Sequence, residues 1–103
     1  ALDADSDQTT SETQKSIAEF SATTYSGAKL VVTAKDGSNR YITEILITHN
    51  GTTAVATEYG QVATGSALAT YDVDISGGNV RLLATAASSN TTVFKVMKLL
   101  LID

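Results

Sequence analysis

The fold is decided by residues 67–86, ALATYDVDIS-GG-NVRLLATA. On an extended chain Ala67, Ala69, Tyr71, Val73 and Ile75 share one face, with Thr70, Asp72 and Asp74 on the other. Strand side chains alternate with period two, so this is one dry and one wet face, as in an antiparallel sheet. Ser76-Gly77-Gly78-Asn79 then predicts a two-residue hairpin. A type I′ turn needs positive φ twice, which glycine adopts without strain. Val80–Ala86 is expected to return alongside Ala67–Ile75.

Working outward, Asn50-Gly51 predicts a second I′ hairpin, pairing Arg40–His49 with Thr52–Tyr59. Further turn signals stand at Asp36-Gly37-Ser38-Asn39, from Tyr59-Gly60 through Gly65, and at Ala87-Ser88-Ser89-Asn90. The intervals suit an all-β sandwich or barrel. Gly27–Asp36 alternates cleanly, with Ala28, Leu30, Val32 and Ala34 against Lys29, Thr33 and Lys35. Arg40–Asn50 is less clean, because Ile42 and Leu46 lie opposite Tyr41, Ile45 and Ile47. Val93–Ile102 is apolar on both faces. Such a strand is either central in a sandwich or covered by a partner subunit, which marks Met97, Leu99 and Leu101 as candidate interface residues. Helix fits poorly, apart from one turn that could begin at the capping-box outline Ser11-Glu12-Thr13-Gln14. The predicted fold is an all-β antiparallel sandwich of about seven strands, a jelly roll being one arrangement, with an extended N-terminal arm.

Charge divides the chain the same way. Asp3, Asp5, Asp7 and Glu12 carry the whole formal charge of −4, while seven acids balance seven bases from Lys15 onward. Residues 1–14 are read as an acidic, intrinsically disordered arm and 15–103 as one β-sandwich domain. Such an arm is expected to gain order only against something it binds, most simply a neighbouring copy. Asp3, Asp5 and Asp7 are therefore candidate assembly residues. A formally neutral body has little charge repulsion to keep copies apart, so a homo-oligomer is expected.

Several function classes fall away on composition. A pI near 4.7 lacks the basic footprint of nucleic-acid binding. No apolar run approaches the ~20 residues of a membrane helix, and no signal-peptide pattern opens the chain. The first residue is Ala rather than Met, read as removal of an initiator or trimming of a precursor. Without cysteine there is no disulfide or thiol chemistry. His49, the single histidine, sits beside a tight turn and reads as strand-end packing. Asp3, Asp5 and Asp7 have calcium-loop spacing, but Gln8 stands where an EF-hand needs glycine. Asp72 and Asp74 read as a solvated face. Gly77-Gly78 lacks the Lys and Ser/Thr of a phosphate loop. No catalytic residue, cofactor or metal is expected. Asn50, Gly51, Gly77 and Gly78 are turn formers.

The segments THNGTTA (48–54), TEYG (57–60) and DVDISGGNVRLL (72–83) together resemble a small β-domain of tailed-phage virion structural proteins, notably of marine cyanophages. The likeness runs from about Phe20 to Leu101 and leaves the arm outside. It implies a virion component with other virion proteins as partners, not an enzyme, and carries over no catalytic residue. A head decoration or cement protein is the first expectation. A tail, baseplate or fibre module is the alternative, and so is a carbohydrate-binding module that attaches to a host surface glycan. In the last case Tyr25, Tyr41, Tyr59 and Tyr71 are the aromatic candidates.

Overall fold

The computed structural model describes residues 1–103 and is all β. Eight strands follow in chain order: β1 (Leu2–Thr9), β2 (Lys15–Ser21), β3 (Tyr25–Asp36), β4 (Asn39–His49), β5 (Ala54–Ala63), β6 (Ala69–Ser76), β7 (Asn79–Ala86) and β8 (Thr92–Ile102). They form two antiparallel sheets, one of order β1-β8-β3-β4-β5 and one of order β2-β7-β6. The pairs β1–β8 and β2–β7 nest one inside the other. The β3-β4-β5 meander, however, stays in one sheet, so the division is five and three rather than the two equal halves of a jelly roll.

The core forms where the two inner faces meet. Ala28, Leu30, Val32 and Ala34 of β3 are buried, as the alternation predicts. On β4 the buried set is Tyr41, Thr43, Ile45 and Ile47. On β8 it is Thr92, Phe94, Val96, Lys98 and Leu100. Val80 and Leu82 of β7 close the core from the smaller sheet. Tyr71 stacks on Tyr41 with ring centroids 6.5 Å apart and meets Phe94 edge-on at 6.3 Å. Tyr41, Tyr71 and Phe94 thus join the sheets near one end of the core, and Phe20 of β2 meets Tyr25 of β3 edge-on at 6.4 Å at the other.

The turns show which glycines the chain requires. Gly77 and Gly78 have φ of 59° and 81°, and Ser76 pairs with Asn79 across them, the expected I′ geometry. Asn50-Gly51 differs. Gly51 has φ of 94°, but Asn50 has negative φ, and the connection runs over four residues. The Asn50 side-chain oxygen accepts the Thr52 and Thr53 amides at 3.0 and 2.8 Å. An Asx turn has therefore replaced the two-residue hairpin, although β4 and β5 pair as predicted. Gly60 lies within β5 rather than in a turn. Its φ of 66° and the register shift opposite Ile42/Glu44 make it a glycine bulge.

Two further expectations change. Residues 2–9 are not a free arm but a strand in register with β8 from Leu2↔Leu99 to Thr9↔Thr92. The strand count rises from about seven to eight accordingly. Ser11–Gln14 makes no helical turn. The Ser11 hydroxyl accepts the Thr13 amide at 3.0 Å, and β2 begins at Lys15.

Gly27 is the glycine whose substitution should be least tolerated by packing. A Cβ there would stand 2.6 Å from the Ile47 carbonyl oxygen, which is backbone and cannot swing away. Gly27→Ala should lower stability by about 1–3 kcal/mol, the usual range for overpacking. Gly65→Ala, whose Cβ meets nothing nearer than 3.7 Å, should leave the melting temperature unchanged. Thermal unfolding followed by circular dichroism compares the two, and equal melting temperatures would contradict the close approach at Gly27.

Candidate functional site

The outer faces of the two sheets differ in kind. The three-stranded sheet shows water a polar surface. Across it Arg81 stands between Glu19 and Asp74, bonding the Asp74 carboxylate through two nitrogens at 2.8 and 2.5 Å. The five-stranded sheet shows water an apolar one. Its central row reads Leu2, Leu99, Lys29, Leu46, Thr57 across the strands. On one side lies the row Leu101, Gly27, Thr48, Val55. On the other lie Ala4, Met97, Val31, Glu44, Tyr59 and then Ser6, Lys95, Thr33, Ile42, Val62. Every strongly exposed large apolar side chain except Ile102 falls in these four rows.

Met97, Leu99 and Leu101, the interface candidates of β8, are 51%, 46% and 55% exposed. The two-sided apolar reading of this strand is thus resolved. Phe94, Val96 and Leu100 face the core, and the other face of β8 stands in solvent. Two hollows of about 490 Å³ each flank the central row. One opens beside Gly27 between Leu46, Val55 and Leu101. The other lies between Ala4, Val31 and Met97. Within this face Lys29 meets Glu44 at 3.7 Å.

Asp3, Asp5 and Asp7 lie on the opposite, inward face of β1. Their partners belong to the same chain. Lys98 is only 4% exposed, and its ammonium reaches Asp5 at 2.8 Å, Asp3 at 3.4 Å and the Glu19 carbonyl at 2.9 Å. Asp7 meets Lys15 at 2.9 Å. The Ala4 amide, and after it Lys98, holds the Asp3 carboxyl below its ordinary value; the Lys15 ammonium does the same for Asp7. Lys98 is the residue that sequence reasoning missed. Its signal was present, since a lysine at a core-facing position of an apolar strand needs a counterion. Asp-x-Asp-x-Asp also has strand periodicity.

The remaining chemical candidates are occupied by structural work. The Gly51 amide donates to His49 Nδ1 at 3.0 Å, so Nε2 carries the proton and donates to the Tyr25 carbonyl at 2.7 Å. Both ring nitrogens are engaged, as strand-end packing requires. The Asp72 carboxylate accepts the Val73 amide at 2.8 Å, while Asp74 is held by Arg81, which also keeps its carboxyl below the ordinary value. The two carboxylates thus have separate partners. Of the four tyrosines, Tyr41 is buried, Tyr25 and Tyr71 are half-buried, and Tyr59 is 37% exposed. Tyr71 borders a cleft between β5 and β6 with Glu58 and Asp72. Its hydroxyl has no partner within the protein, and burial pushes its pKa well above the ordinary tyrosine value.

No protein-family model matches the chain, and no curated protein matches it. Its fold is similar to part of the tailspike protein of Acinetobacter phage vB_ApiP_P1, with a TM-score of 0.67 and 22% identity over 99% of this chain. It is also similar to part of the tailspike of Acinetobacter baumannii phage AM24, with a TM-score of 0.54 and 10% identity over 95% of this chain. The chain spans 22% and 25% of those two proteins. At these identities the likeness establishes a shared sandwich-like fold.

Two predictions concern the docking of β1. Lys98→Met should lower stability by about 1–3 kcal/mol, less than the ~3–5 of a fully buried pair, because the Asp5 side chain is 31% exposed. Backbone amides of residues 4–8 should lose hydrogen-exchange protection first, and equal protection in both proteins would refute the clamp. Acid should act on the same strand. Asp3 and Asp7 have folded pKa values below the ordinary 3.8. Their contribution is therefore complete above the ordinary value and is lost as pH falls through the folded values. Amide resonances of β1 should move below about pH 4 while those of Val80 and Leu82 stay fixed.

Proposed function

We propose that this chain is a structural, non-enzymatic module of a phage virion, and that its place is the tail spike. The observation that carries the reading is the likeness of almost the whole chain to one segment of a tailspike protein. The second solved neighbour is also a tailspike, which favours the tail over the head-decoration role first expected and draws no particular support for a cyanophage source. The resemblance of residues 48–54, 57–60 and 72–83 to virion β-domains supports the same reading. A non-enzymatic role is supported by the engagement of both His49 nitrogens and of the two carboxylates, Asp72 by the Val73 amide and Asp74 by Arg81. In this role the module works by association with copies of itself and with neighbouring virion proteins. A host-surface glycan would find Tyr59 as an exposed aromatic ring on which to stack.

Electron microscopy of virions labelled with antibody against this module tests the reading. Label should gather at the tail. Label spread over icosahedral positions would reinstate head decoration, and virions carrying no label would remove the module from the particle.

A further inference from the structure

We propose that Asn50-Gly51 is a self-modification site, at which the Gly51 amide nitrogen closes a succinimide on the Asn50 side chain and position 50 becomes aspartate or isoaspartate. The inference goes beyond the structural role proposed above and does not depend on it.

The loop between β4 and β5 holds every group that the ring closure needs. The electrophile is the Asn50 side-chain carbonyl. Its oxygen accepts the Thr52 amide at 3.0 Å, the Thr52 hydroxyl at 3.0 Å and the Thr53 amide at 2.8 Å. Donors fixed on an oxygen where negative charge develops stabilise that charge, as in an oxyanion hole. The nucleophile is the Gly51 nitrogen. It donates its hydrogen to His49 Nδ1 at 3.0 Å, within the reach of a general base. The imidazole is held in that tautomer and orientation because Nε2 donates to the Tyr25 carbonyl at 2.7 Å. Glycine brings no side chain to obstruct the approach, and the space where its Cβ would stand is open. The side-chain bonds of Asn50 all fall on its oxygen, so Nδ2 is free to leave. Residues 50–53 are exposed, and water reaches the ring.

The step balances with water as the one reagent. The bond from Gly51 N to Asn50 Cγ forms as the Cγ–Nδ2 bond breaks. The Gly51 proton goes to His49, and an equivalent proton returns to Nδ2, which leaves as ammonia. Water then opens the ring at either carbonyl, and nothing is oxidised or reduced. This is one event within the chain, not turnover on a substrate. The other asparagines lack the same set. Asn39, Asn79 and Asn90 precede Arg40, Val80 and Thr91, and the amide nitrogens of Asn79 and Asn90 are tied to Glu19 and Asp36. Opening as isoaspartate lengthens the main chain beside His49, whose ring meets Phe20 of the smaller sheet at 6.4 Å. The change therefore falls on a joint between the sheets.

Peptide mapping by mass spectrometry of the full chain, held at neutral pH, is the test, with labelling by an isoaspartate-specific methyltransferase as second readout. Asn50 should exchange amide for acid at least ~10-fold faster in the folded chain than in the same chain unfolded in guanidinium chloride, a share of the ~10²–10⁴ that a positioned base supplies. Asn39, Asn79 and Asn90 should stay unmodified over that time. His49→Phe should bring the folded rate down to the unfolded one and leave the unfolded rate unchanged. If that variant loses its fold, Thr52→Val becomes decisive. It should slow the folded chain at least ~3-fold, less than the ~10²–10³ of a donor in a dry oxyanion hole, because this loop is wet. A folded chain that reacts no faster than the unfolded one overturns the proposal and makes the same hydrogen bonds a guard on Asn50. A folded His49→Phe or Thr52→Val chain as fast as the native one overturns it as well.

Discussion

A single buried cation constrains how this sandwich closes. Lys98 sits at a core-facing position of β8, between the two sheets. An ammonium taken from water into such surroundings is held only if charge and hydrogen bonds replace its hydration. Here Asp5 and Asp3 come from β1 in one sheet, and the Glu19 carbonyl comes from β2 in the other. One side chain therefore binds both sheets at their shared margin. It also sets the register of β1, because a slip of one residue would turn the carboxylates outward and leave the ammonium unpaired. β1 buries no large apolar side chain, so its main-chain ladder to β8 and these ion pairs hold it. The acidity of the N-terminal segment follows from that need.

How much of this was legible in the sequence depends on whether local pattern or tertiary pairing decided each feature. Alternation at Ala28–Ala34 and the pair Gly77-Gly78 are local, and both emerged as read. Asn50-Gly51 was half legible. The hairpin formed, but the Asn50 side chain bonded its own loop, an option as local as the I′ turn and hard to rank against it. Gly60 looked like a turn because φ above zero serves a bulge as readily as a loop. The first fourteen residues misled more deeply. Composition alone makes them disordered, and only the partner 95 residues away, Lys98 opposite Asp3, turns the acidic run into a strand. The apolar outer face was partly visible at Met97, Leu99 and Leu101. Ile42 and Leu46 looked like noise in β4 because nothing local says that Leu46 lies two strands from Leu99 in the same row.

The four sheet edges are each guarded against pairing with another chain. An open strand edge invites endless pairing, and this chain has no proline with which to block one. It uses other means. β5 is kinked by the Gly60 bulge, and β2 carries a register shift between Ser16 and Ala18. β6 carries Asp72 and Asp74 on its outer face, and β1 carries Asp3, Asp5 and Asp7 on its inward face. Bulges twist an edge away from a flat partner, and charges penalise one that approaches. Every edge is thus disfavoured, while the broad face of the five-stranded sheet stays apolar. Edge pairing would propagate into fibres, and the chain works against that route at each of its edges.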